Sequence, residues 1–206
     1  AETNRVQLIR APSTLVYGGS AIGGVVNVLD GRIPTEIPEG GIDGVVSGQV
    51  SSVDEGRGGF VRVTVGGGNF AINLDAVKRR TDDYEIPSPS ISQRLADAEG
   101  IEREGGDTQP NSYTDLEAWG VGGAYIGDKG FAGLSYKETD SEYGVVAEDS
   151  VFIKLNQERW DARGEYRFDR GPFSALRGSY GHADYTHTEF EDVGEPGTVF
   201  NSDGWE

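Results

Sequence analysis

The chain has 206 residues, no cysteine, no methionine, 32 glycines and a formal net charge of −17 at pH 7. Without cysteine there is no disulfide framework and no thiolate metal site, and so acidic a surface has the wrong sign for nucleic-acid phosphates. A hydrophobic content of 35% is low for a globular core, while 10% aromatic residues are too many for a disordered chain; together they fit an antiparallel sheet in which every second residue faces water.

In chain order, Val6, Leu8 and Ile9 predict a short strand closed by Ala11-Pro12. Ser13–Tyr17 has room for little more than one helical turn, with Gly18 placed to end it. Gly18-Gly19 and Gly23-Gly24 then bracket Ser20-Ala21-Ile22, ahead of a β-branched run through Val25, Val26, Val28 and Leu29. Paired glycines beside a dry run predict backbone packed closely against a neighbour, where a side chain would collide. The sequence does not open on a start codon or a secretory n- and h-region, so a signal peptide is expected to be removed or to lie outside it. It has no run of 18 apolar residues, so helices are excluded as spans and a closed β-barrel is the one way left to cross a bilayer.

Gly31–Gly41, with two prolines, reads as an extended linker. From Ile42 the chain becomes a series of alternating segments: Gly44–Val53, Gly59–Val65, Phe70–Arg80, Asp115–Ile126, Phe131–Thr139, Arg159–Phe168, Phe173–Tyr185, and an eighth beginning near Phe200. Tight turns are predicted at Gly66–Asn69, Gly127–Gly130 and Asp169–Pro172. The alternate connections are longer: Asp54–Gly58, Thr81–Thr114, Asp140–Glu158 and Thr186–Val199. Short turns on one rim and long loops on the other are the habit of transmembrane barrels. The sixth segment is the cleanest, with Arg159, Asp161, Arg163, Glu165 and Arg167 on one face and Trp160, Tyr166 and Phe168 on the other. The charged face predicts an aqueous lumen and the aromatic face lipid.

Arg10, Pro12, Ser13, Leu15, Tyr17 and Gly18, followed by Ala21-Ile22-Gly23-Gly24-Val25-Val26-Asn27-Val28, resemble the end of the plug domain of TonB-dependent outer-membrane receptors. The family usually has glycine where this chain has Ala11. The resemblance implies an all-β fold, the N-terminal part of a large antiparallel transmembrane barrel of about 22 strands. Residues 1–30 would be the plug end, 31–41 a linker and 42–206 the first seven to eight barrel strands. It implies a receptor that imports a scarce nutrient, such as an iron–siderophore or another metal chelate, across the outer membrane of a Gram-negative bacterium. Its partners would be TonB, through a segment not in this sequence, the nutrient, and outer-membrane lipid and lipopolysaccharide. Ser141–Tyr166 is also similar to a subset of these receptors that includes zinc-uptake members, without their histidine-rich loop. A free-standing eight-stranded barrel with a structural or adhesive role, or a soluble β-sandwich binding module, are the alternatives that the strand pattern admits.

No catalytic constellation is present: there is no cysteine nucleophile, and His182 and His187 sit in no pattern that would activate a serine. The expectation is a protein that is not an enzyme and needs no cofactor. Metal binding is the sharper question. At strand spacing His182 and Asp184 share a face and could offer two ligands, with His187 or Glu189 added from the following loop. In Thr81–Thr114, Asp82, Asp83, Glu85, Glu99, Glu102, Glu104 and Asp107 could hold Ca²⁺ through oxygen, although the spacing is not that of a calcium loop and a mobile acidic loop is the plainer reading.

Overall fold

A computed structural model describes residues 5–12, 21–100, 106–148, 150–192 and 195–205. Strands β1 (Arg5–Arg10) and β2 (Gly24–Leu29) pair antiparallel, Val6 opposite Val28 and Leu8 opposite Val26. The expected helical turn at Ser13–Tyr17, and with it Tyr17 and Gly18, lies outside the described residues. A linker follows, ending in a short 3-10 turn at Glu39–Gly41.

Among the described residues from Ile42 on, eight strands form one antiparallel sheet in sequence order. These are β3 (Ile42–Val50), β4 (Arg57–Gly67), β5 (Phe70–Thr81), β6 (Thr114–Gly127), β7 (Gly130–Gly144), β8 (Phe152–Arg167), β9 (Ala175–Asp192) and β10 (Glu195–Trp205). The lower parts of β4 to β8 follow alternating β-branched or aromatic runs, as in Val61, Val63 and Val65. The hairpin between β4 and β5 turns at Gly68, whose φ of 58° suits glycine, and Asn69 Nδ2 ties the turn to β6 through the Ile126 carbonyl at 2.8 Å.

Two connections expected to be long are mostly strand. Asp140–Glu158 contains the end of β7 and the start of β8, leaving 145–151 as the loop. Thr186–Val199 contains the end of β9 and the start of β10. The connection from β5 to β6 is long as expected, and it carries a helix that the periodicity did not predict, α1 (Gln93–Glu99). Its signals are local: Ser92 Oγ accepts from Leu95 N at 3.2 Å, and Gly100 closes the helix in the left-handed region.

The linker crosses one face of the sheet. A Cβ at Gly120 would stand 2.8 Å from Arg32 Cδ, and one at Gly122 would collide with the Arg32 carbonyl, so these glycines let the linker backbone lie on β6. Ile33 lies over Gly133, and Ile37 and Pro38 over Gly66. This covered face is small and polar: Ala71, Asn73, Asp75, Ala118, Ala124 and Ser135 are buried on it. The opposite, bare face is apolar and exposed. Val46, Phe70, Ile72, Leu74, Leu134, Trp160 and Leu176 are all more than half exposed, and no described element covers them. A water-soluble sheet buries its apolar side and solvates its polar side. Here the distribution is reversed.

Candidate functional site

The covered face carries charge along β8 from Arg159 to Arg167. Arg159, Asp161, Arg163, Glu165 and Arg167 all lie on it, in register with Lys137 of β7 and Arg177 of β9 on either side. The charges neutralise one another locally. Arg159 Nη2 donates to Asp161 at 2.8 Å; Arg167 and Arg177 both donate to Glu165, at 2.9 and 2.7 Å. The Arg163 guanidinium lies 5.8 Å from the centre of the Phe131 ring.

Arg32 of the linker enters this face from above. It is ion-paired with Asp30, and its Nε is 3.9 Å from Asp75 on β5. Both side chains of the Arg32–Asp75 pair are more than nine-tenths buried, and the Arg32 Nη1 atom has no hydrogen-bond partner. Burial lowers the affinity of the Arg32 guanidinium for its proton; Asp75 and Asp161 oppose that effect and Arg159 adds to it. The linker is therefore held by charge at one residue and by glycine-lined contact elsewhere.

The plug-motif residues divide. Arg10 pairs with Gly24 at the end of the β1–β2 pair nearest their connection, and Asn27 pairs with Gln7. A Cβ at Gly24 would stand 2.5 Å from the Ile9 carbonyl oxygen, which is the close approach expected there. Gly23 has open space, and Pro12 is exposed.

The metal candidates are also separated. Register places His182 opposite Trp160 and Asp184 opposite Glu158, so both stand on the bare face. His187 and Glu189 pair with Leu155 and Ile153 and face the other way. They join no site with His182. His187 instead meets the Tyr185 hydroxyl, 3.1 Å from Nδ1, and the Phe200 ring. A ligand that sequence reasoning missed replaces them: Asp203 of β10 lies directly opposite Asp184. Among the described residues, His182, Asp184 and Asp203 are the one group of three metal-ligating side chains whose ligand atoms converge, all within 4.8 Å of one another.

Among the described residues, the acidic loop is organised by hydrogen bonds rather than by ligand convergence. The Asp83 carboxylate accepts from the backbone N–H groups of Asn111, Ser112 and Tyr113, at 3.1, 2.7 and 3.0 Å. Asn111, at φ 58°, donates through Nδ2 to the carbonyls of Val145, Glu148 and Val151. This joins the β5–β6 and β7–β8 loops. Glu102, Glu104 and Asp149 lie outside the described residues. No family model matches the chain.

Proposed function

We propose that this chain is the end of a plug and the first eight wall strands of a TonB-dependent outer-membrane receptor, importing a scarce nutrient such as an iron–siderophore or other metal chelate. The observation that carries the reading is the reversal of the faces. The bare face holds a band from the short turns up to Trp119, Tyr136 and Trp160, with Phe70 against Tyr125 and Tyr166 against Phe168 at its lower edge. From Trp119 to Tyr125 the strand covers about 20 Å, comparable to the apolar height of a barrel wall flanked by aromatic girdles. Above this band the same face turns polar, with Lys78, Glu117, Glu138 and Glu158.

The linker lies on the polar face, where a plug inside a lumen would put it. The two alternatives fit less well. A free-standing eight-stranded barrel would pair its first strand with its last, whereas β3 and β10 are the two edges of the sheet. A sandwich needs a second sheet over the apolar face, and no described element lies there.

Two measurements test the proposal. In vesicles of acyl-chain-brominated lipid, the full-length protein should lose part of its fluorescence quenching when Trp119 and Trp160 are both replaced by Phe. A chain that stays soluble without detergent and is not quenched would refute the membrane placement. For the transport step, ferric-chelate uptake should fall on deletion of the full-length gene and on collapse of the proton gradient; uptake indifferent to both would refute it.

A further inference from the structure

On the bare face, Glu138 of β7, Glu158 of β8, Asp184 of β9 and Asp203 of β10 are consecutive register partners. They make one row of carboxylates across adjacent strands, immediately above the row Tyr136, Trp160, His182 and Trp205. Like charges directly opposite one another destabilise a sheet. The rows above are relieved: Lys78 pairs with Glu117 at 2.7 Å, Lys154 with Glu142 at 3.2 Å, and Asn156 Nδ2 donates to Asp140 at 2.9 Å. The lowest row contains no lysine, arginine or asparagine. Tyr136 donates to Glu138 at 3.5 Å at one end, and at the other both aspartates converge on a single imidazole.

That convergence has the dimensions of a coordination site. His182 Nε2 is 3.4 Å from Asp184 Oδ2, and Nδ1 is 3.6 Å from Asp203 Oδ1. Around a tetrahedral ion with bonds of about 2.0–2.1 Å, neighbouring ligand atoms stand about 3.3 Å apart. One ring nitrogen would bind the ion, so the aspartate on the far side, within 4.8 Å of the other ligand atoms, must close by up to about 1.5 Å, a side-chain rotation at an exposed site. One nitrogen and two carboxylate oxygens form a donor set for a borderline divalent cation, and their charge matches it. We propose that His182, Asp184 and Asp203 bind one zinc-class divalent cation on the bare face, across the β9–β10 pair. The site rests on strand register and does not depend on the transport reading. It lies on the opposite face from the linker and the charged wall, so it is not a cargo site.

The test is calorimetric titration of the full chain in detergent with ZnCl₂, beside His182→Ala, Asp203→Asn and His187→Ala, with far-ultraviolet circular dichroism confirming the strand signal of each. The wild type should bind one Zn²⁺. His182→Ala and Asp203→Asn should each weaken binding about tenfold or more, and His187→Ala, on the other face, should leave it unchanged. No binding by the wild type would overturn the proposal. So would binding that survives in both His182→Ala and Asp203→Asn, or a loss in His187→Ala as large as theirs. Failure here leaves lipid quenching and chelate uptake unaffected, so the two proposals fail separately.

Discussion

Placing an arginine at Leu74 separates a lipid-facing wall from a wetted one. Leu74 is 53% exposed on the bare face, between Val63 of β4 and Val121 of β6. Along β5 it is about 14 Å from Phe70 at the turn and the same from Lys78, the first charge above the apolar band. On a watered surface an exposed leucine can be replaced within about 0.5 kcal/mol. At the middle of a bilayer the same arginine costs about 2–4 kcal/mol, which is about a 30- to 900-fold change in the folding equilibrium constant. Thr186, also on the bare face but above the band, is the control, and Thr186→Arg should stay within about 0.5 kcal/mol. The assay is urea unfolding of the full-length protein from phospholipid vesicles, followed by tryptophan fluorescence. A Leu74→Arg chain as stable as wild type, or as stable as Thr186→Arg, would refute the assignment of this face to lipid.

Three further outcomes follow from the loops and linker. Asn111→Ala removes a donor shared by three carbonyls, at about 1–3 kcal/mol to the loop junction, and should open a new protease cut between 145 and 151; an unchanged digest would discount the junction. Burial and then Glu142 raise the Tyr113 phenol from 10.0 to about 12. Its contribution to stability is therefore complete below pH 10 and is lost as pH rises through about 12. An ultraviolet titration should show a late-ionising component that shrinks in Tyr113→Phe, and an identical curve for that variant would contradict this. Arg32→Met strands the buried Asp75 carboxylate without its cation, a change of about 3–5 kcal/mol when one partner of a buried pair is lost. Hydrogen exchange at residues 31–38 should then accelerate; exchange as slow as wild type would mean that the glycine-lined contact alone holds the linker.

The strands were legible in sequence only where their two faces meet different surroundings. Between the short turns and the Trp119–Tyr136–Trp160 line, one face is apolar and the other polar, so a period of two is visible. Higher up, Lys154, Asn156 and Glu158 on one face of β8 oppose Leu155 and Gln157 on the other, and the contrast fades. Strand therefore passed for loop in Asp140–Glu158 and Thr186–Val199. Helix α1 was readable from Ser92 and Gly100 but is too short for periodicity to announce. The His182–Asp184–Asp203 group was not readable, because Asp203 reaches Asp184 through strand register rather than sequence spacing. Parity also assigned His182 correctly to the face of Asp184, yet only the pairing with Trp160 shows that this face is the bare one.

The upper half of the sheet, where apolar and polar residues are mixed on both faces, has a separate consequence. β7 continues from Tyr136 to Gly144, about 27 Å beyond the aromatic line. There the wall is held by its backbone ladder and by neighbour pairs such as Phe152 stacked on Phe190 at 4.8 Å, with Lys154 5.5 Å from the Phe190 ring centre. Neither solvent nor lipid dictates which residue type stands on which side. The lower sheet admits few replacements at each position, whereas this upper part is constrained mainly by its neighbour pairs and by the extended backbone. Surface variation can accumulate there, in the part presented farthest from the apolar band, without altering how the lower wall folds.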